Sequence, residues 1–190
     1  MRILGIDNGL QGGLVLIDDA PENRGIVLKL VMPTTEYVTS THKKRREYNE
    51  KEIVDILKDL NCEDKIIDHV FIEKAQAMPT RIKQNGIMKK LPQGTVASFS
   101  TGLGYGILRG IISALEIPYT RVHPKTWQKE MFRDMPKTDT KSMGFIVCSR
   151  LWPSVNWLAT ARSKKPHSGL TDAALIAEFG RRTLNGQLMR

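Results

Sequence analysis

Two apolar runs joined by a glycine-rich turn open the chain. Ile3, Leu4 and Ile6 lead into Asp7, and beyond Asn8, Gly9, Gly12 and Gly13 a second run extends from Leu14 to Ile17. Apolar runs this short and continuous are typical of strands covered on both faces, and so short a connection makes the pair antiparallel. Asp7 therefore stands at the end of a buried strand. Taken alone, an aspartate before Asn-Gly is a turn former; its meaning depends on what else reaches the same place.

The rest of the pattern supplies the frame. Residues 2–6, 13–18 and 26–32 read as three strands, and the spacing of Ile53, Ile56, Leu57 and Leu60 predicts a helix over 49–60, with Asn49 as its cap. A fourth strand, "DHVFIEKA", runs into Glu73. Residues 76–97 are polar and patternless and read as a mobile loop; a long helix follows over 98–116. "IPYTRV" is a fifth strand, Pro124 suits the first turn of a short helix, and a further helix over "TDTKSMGFIVCSRLW" stops at Pro153. After the basic loop "ARSKKPHSG", a last helix spans Leu170–Arg182. The expectation is one α/β domain over residues 1–190: a mixed five-stranded sheet, its first three strands antiparallel, with helices on both faces.

In such a sheet sites form at strand ends. Asp7 closes the first strand and Glu73 the fourth, and Asp172 lies in the first turn of the last helix. There, Ala173, Ala174 and Ala177 are small enough to let the helix lie flat on the sheet. Three carboxylates together repel one another, and a hard divalent cation, Mg²⁺ or Mn²⁺, resolves the repulsion through oxygen ligands. Two such ions about 4 Å apart can activate a water and stabilise the leaving oxygen of a phosphodiester.

"ILGIDNG", "VFIEKAQ" and "HSGLTDAALIAEFG" resemble the acidic motifs of RuvC-type Holliday junction resolvases of the ribonuclease H-like superfamily. "GYGILRGIISALEIPYTRVHPKTWQKEMF" and "KSMGFIVCSRLWP" fit between them. The resemblance covers nearly the whole chain and leans toward chloroplast and phage-type members. It implies a ribonuclease H-like fold, a homodimer, and symmetric nicking of four-way DNA junctions with two Mg²⁺ or Mn²⁺ ions per site, held by Asp7, Glu73 and Asp172. Bacterial members carry an acidic residue or histidine three positions before the last aspartate, where this chain has Gly169. His167 is the substitute, as a metal ligand or a proton shuttle, provided the helix starts after it; within one helix the two side chains would diverge by roughly 140°. Otherwise it is a loop histidine. Lys137 and Lys141 fall near the lysines this family places close to the scissile phosphate, Lys141 being assigned a catalytic part, and Lys125 is a further candidate DNA contact.

Charge points the same way. The formal net charge is +9 and the pI about 9.7, values that suit a polyanionic partner and are unusual for a metabolic enzyme. Lys43, Lys44, Arg45 and Arg46 form the densest cluster; Arg81, Lys83, Lys89 and Lys90 lie in the long loop; Arg162, Lys164 and Lys165 precede His167. Each run alone can be a solvated face, and together they favour phosphate contacts. By resemblance, Gly104 and Tyr105 meet DNA at a helix start. Gly102, Gly106 and Gly110 recur every four residues on one helix face, so something approaches that backbone closely: a partner helix, the sheet, or DNA. Cys62 and Cys148 form no metal-type pair, and Asp7 interrupts any signal-peptide core. Neither a transit peptide nor a membrane segment is expected, and the chain reads as cytoplasmic, in a bacterium or a phage-infected host.

Three other readings share some of these features. A different ribonuclease H-like nuclease, acting on RNA–DNA hybrids or on flap or branched DNA, would have the same metal site. "GIDNG" also resembles the phosphate loop of sugar kinases and actin-like ATPases, but those need two such domains. A non-catalytic nucleic-acid module would gain nothing from carboxylates beside phosphates.

Overall fold

A computed structural model describes residues 1–20, 25–62, 65–76, 80–84, 87–91, 93–135 and 139–188. Strands β1 (Arg2–Asp7), β2 (Gly13–Asp18) and β3 (Gly25–Val31) form an antiparallel meander. Among the described residues, strand β4 (Thr34–Val38) pairs with β5 (Lys44–Tyr48) alone, as a separate hairpin. Helix α1 (Glu50–Leu60) leads to β6 (His69–Glu73). Strands β7 (Thr80–Gln84) and β8 (Ile87–Leu91) form a second small hairpin before α2 (Thr95–Ala114) and β9 (Tyr119–Val122). Helices α3 (Pro124–Met131), α4 (Thr140–Leu151) and α5 (Ser168–Leu184) complete the chain.

The main sheet has the order β3-β2-β1-β6-β9, with β6 and β9 parallel to β1. This is the expected α/β architecture, a mixed five-stranded sheet with its first three strands antiparallel and helices on both faces. Side chains of β1 alternate between two cores. Ile3 packs with α3, α4 and α5 through Trp127, Met131, Val147, Ala173 and Ala177. Leu4 and Ile6 pack with α1 and α2 through Ile53, Leu57, Leu108 and Ile112. Burial on both faces explains why β1 reads as a nearly unbroken apolar run. No described helix is long and apolar enough to cross a membrane.

Four boundaries differ from the sequence reading. The basic run 43–46 is not a lead-in to the helix: Lys44–Arg46 lie on β5, opposite Val38, Tyr37 and Glu36. Within 76–97, expected to be a loop, β7 and β8 pair. Helix α2 starts at Thr95 rather than at 98. Helix α5 starts at Ser168, which puts Asp172 in its second turn rather than its first.

Candidate active site

Strands β1 and β6 run parallel in a register that pairs Ile6 with Ile72. Asp7 and Glu73 are the next residue on each strand, at ends roughly 4.8 Å apart. Ile6 and Ile72 face α1 and α2, so strand alternation turns Asp7 and Glu73 toward α5. That helix lies directly on β1. A Cβ built on Gly5 would fall 2.0 Å from the Ala173 carbonyl oxygen, and one on Gly169 would fall 2.3 Å from the Gln11 carbonyl oxygen. Only glycines allow this approach, and it delivers Asp172 to the strand ends.

The three carboxylates sense one another. Burial pushes Glu73 up to about 8, and the charges of Asp7 and Asp172 add to it. Burial also raises Asp172 to about 7, helped by Asp7 and opposed by Lys141. Asp7 is raised by burial, against the pull of the Gly9 N–H, which donates to its Oδ1 at 3.2 Å. The Trp127 indole N–H lies toward Glu73 and favours its charged form slightly, without completing a hydrogen bond. Asp172 Oδ1 is buried with no hydrogen-bond partner among the described residues. Crowded carboxylates carrying an orphaned oxygen suit a hard divalent cation. Among the described residues, however, no three His, Cys, Asp or Glu side chains converge tightly enough to cage an ion as they stand.

Lys141, in the first turn of α4, is exposed and close enough to Asp172 to act on its charge. His167 is elsewhere. It is the N-cap residue of α5, so the helix does start after it, as a ligand role requires. Yet His167 lines a cleft with Leu10, Gly12, Met32 and Arg46, and its pKa is lowered by burial. Its Nδ1 is buried without a partner. No side chain fits at Gly169, because Gln11 and Gly12 fill the space a Cβ would take.

Of the basic candidates, Lys43, Lys44, Arg45, Arg46, Lys125, Arg162, Lys164 and Lys165 are exposed. Arg81, Lys83, Lys89 and Lys90 fall on β7 and β8, but their side chains lie outside the described set, and Lys137 lies outside the described residues altogether. Gly104 lies in mid-helix rather than at the helix start; it is buried, and the Tyr48 ring packs against its backbone. Tyr105 is half-buried, with the Arg109 guanidinium 5.4 Å above its ring. Built Cβ atoms on Gly102, Gly106 and Gly110 meet nothing within 4 Å, so this glycine face serves no packing among the described residues. Beside it Val96, Phe99 and Leu103 are 80%, 69% and 51% exposed. Two residues that motif reading passed over support the site: Asn8 donates through Nδ2 to the Glu73 carbonyl at 2.8 Å, and the Tyr48 hydroxyl donates to the Asn8 carbonyl.

No protein-family model and no curated protein matches the chain. Among solved structures it is similar to Thermus thermophilus RuvC in complex with a Holliday junction substrate. The identity is 16%, over 98% of this chain and 97% of that one, with a TM-score of 0.48. A second Thermus thermophilus RuvC structure is similar at 16% identity over 96% of each chain, with a TM-score of 0.46. At that level neither adds to what the sheet order already shows.

Proposed function

We propose that this chain is a metal-dependent endonuclease that resolves four-way DNA junctions by paired, symmetric nicking, working as a homodimer. The observation that carries the reading is that Asp7 and Glu73 end two adjacent parallel strands with Asp172 of α5 near enough for charge to act between them, each raised by burial and the latter two also by a neighbouring carboxylate's charge. The acidic motifs that resemble RuvC-type resolvases and the net charge of +9 support it.

Asp7, Glu73 and Asp172 would hold Mg²⁺ or Mn²⁺, most economically two ions. Bound there, the metal supplies an activated water and a counter-charge for the leaving oxygen. The chain's own residues do the rest. Backbone contact at Gly5 and Gly169 fixes Asp172 against Asp7. Lys141 offers a positive charge beside Asp172, where a scissile phosphate would approach. Lys43, Lys44, Arg45, Arg46, Arg162, Lys164 and Lys165 bind flanking phosphates and set orientation. His167, the N-cap residue of α5, is a candidate proton shuttle or further ligand.

A four-way junction has two equivalent strands to cut, and a two-fold dimer supplies two equivalent sites. The bare glycine face of α2, flanked by exposed Phe99 and Leu103, is the surface assigned to that contact. The test is a panel of end-labelled four-way junction, duplex, flap and RNA–DNA hybrid incubated with Mg²⁺. Junction cuts at symmetry-related positions support the reading, whereas preferential cutting of the hybrid or flap would assign the chain to another ribonuclease H-like nuclease.

A further inference from the structure

The β4–β5 hairpin stands outside the main sheet, yet it is tied to the candidate active site at one point. Tyr48 ends β5, two residues after Arg46 and on the same side of the strand. Its ring rests on the backbone of α2: a Cβ built on Gly104 would fall 2.2 Å from the ring's Cε2 and 2.7 Å from its hydroxyl oxygen. The hydroxyl donates to the carbonyl of Asn8, the residue after Asp7. Asn8 in turn donates from Nδ2 to the Glu73 carbonyl at 2.8 Å. Two hydrogen bonds thus run from the end of the hairpin to the ends of β1 and β6, where the carboxylates are.

Arg46 occupies the other end of this linkage. It lines the clefts on both sides of Leu10, one of about 600 Å³ against α2 and one of about 390 Å³ toward His167. Lys43, Lys44 and Arg45 continue the exposed positive charge toward the hairpin tip. A phosphate held by this strand pulls on the same backbone that carries Tyr48.

We propose that Tyr48 is a positioning residue that couples phosphate binding on the basic hairpin to the alignment of Asp7 and Glu73, a role that rests on the nuclease reading above. Engagement of the hairpin by DNA fixes β5, the Tyr48 hydroxyl fixes Asn8, and Asn8 fixes the Glu73 backbone. Bulky residues are excluded at 104 because that space seats the Tyr48 ring.

Tyr48→Phe tests this, because it keeps the ring on Gly104 and removes only the hydroxyl. Three quantities are measured on wild type and variant: junction affinity in Ca²⁺, single-turnover nicking at saturating junction in Mg²⁺, and hydrogen exchange of the 8–12 amides with and without junction. We expect nicking to fall about tenfold, the worth of one hydrogen bond, with affinity within twofold of wild type. Junction should slow exchange at 8–12 in wild type and not in the variant. Arg46→Ala should lower both rate and affinity in wild type, but only affinity in the Tyr48→Phe background. Gly104→Ala, which displaces the ring, should reproduce the rate loss. Wild-type nicking and exchange in Tyr48→Phe would overturn the proposal, as would equal loss of affinity and rate, which would make Tyr48 a DNA contact. A wild type that binds junction without nicking it would sink the nuclease reading. The exchange response would then decide the coupling alone: dependence on the hydroxyl supports it, and no response, or no binding, refutes it.

Discussion

Gly5 of β1 and Ala173 of α5 meet backbone to backbone, with 2.0 Å between a Cβ built on Gly5 and the Ala173 carbonyl oxygen. Since Asp7 lies two residues beyond one partner and Asp172 next to the other, this contact brings the two carboxylates together. Gly5→Ala should lift α5 off the sheet and destabilise the protein by about 3 kcal/mol, as overpacking of a tight core does, in urea unfolding followed by circular dichroism. Whatever fraction remains folded should have lost nicking, because Asp172 moves with the helix.

Stability should depend on pH in the direction set by the raised carboxylates. Glu73 at about 8 and Asp172 at about 7 keep protons in the folded state that the unfolded chain releases near pH 4. The native state therefore binds more protons across pH 4–8, and metal-free protein loses stability as pH rises through that interval. Glu73→Gln removes the group responsible. It should be more stable than wild type at pH 8, by on the order of 1–3 kcal/mol, with the gap closing toward pH 4. Mg²⁺ should stabilise wild type more at pH 8 than at pH 6, since the carboxylates must lose protons to bind it. Thermal melts across pH, with and without Mg²⁺, check all three outcomes.

The hairpin cluster should show in the salt dependence of binding. Lys43, Lys44, Arg45 and Arg46 are exposed along the tip and second strand of the β4–β5 hairpin. Replacing all four with Ala should reduce the slope of log K against log salt by about 3–4 in a junction-binding titration. An unchanged slope would leave the hairpin facing solvent.

Dimerisation through α2 predicts a separable defect. Gly106 has open space around it, so Gly106→Leu should not disturb the monomer fold. It should weaken the dimer at least tenfold by light scattering or sedimentation. On a cruciform plasmid, nicked circles should accumulate at the expense of linear product. A folded, dimeric variant that still yields linear product would remove this face from the interface.

The main sheet and the carboxylates were legible because each rests on local chemistry: apolar runs for β1 and β6, and a charged residue closing each. The hairpins were not. Thr34, Thr35, Tyr37 and Val38 suit a strand by composition, but the partner strand carries Lys44, Arg45 and Arg46, whose charge reads as a solvated or phosphate-binding run rather than as a strand. The pair Asn85–Gly86, favoured in two-residue hairpin turns, stood in the sequence between β7 and β8 and was passed over. The helical spacing of Gly102, Gly106 and Gly110 predicted a close backbone approach, which nothing among the described residues makes. It did not show that Gly104, off that stripe, seats Tyr48, because this contact joins residues distant in sequence. His167 illustrates the limit of motif position: five residues before Asp172 it is the N-cap residue of the helix, and it lines the cleft that Arg46 also lines.

The central claim is that Asp7, with Glu73 and Asp172, forms a metal-dependent nuclease site for four-way DNA. Its most direct test is Mg²⁺-dependent cleavage of a synthetic immobile junction by wild type and Asp7→Asn, with both strands' cuts mapped and junction affinity measured in parallel. The amide keeps the side chain's shape but is a poor ligand for a hard cation, and it removes negative charge near phosphate. Wild type should make paired nicks at symmetric positions, and Asp7→Asn should bind at least as tightly while cutting at least a thousandfold more slowly. Nicking by Asp7→Asn at the wild-type rate would contradict the account.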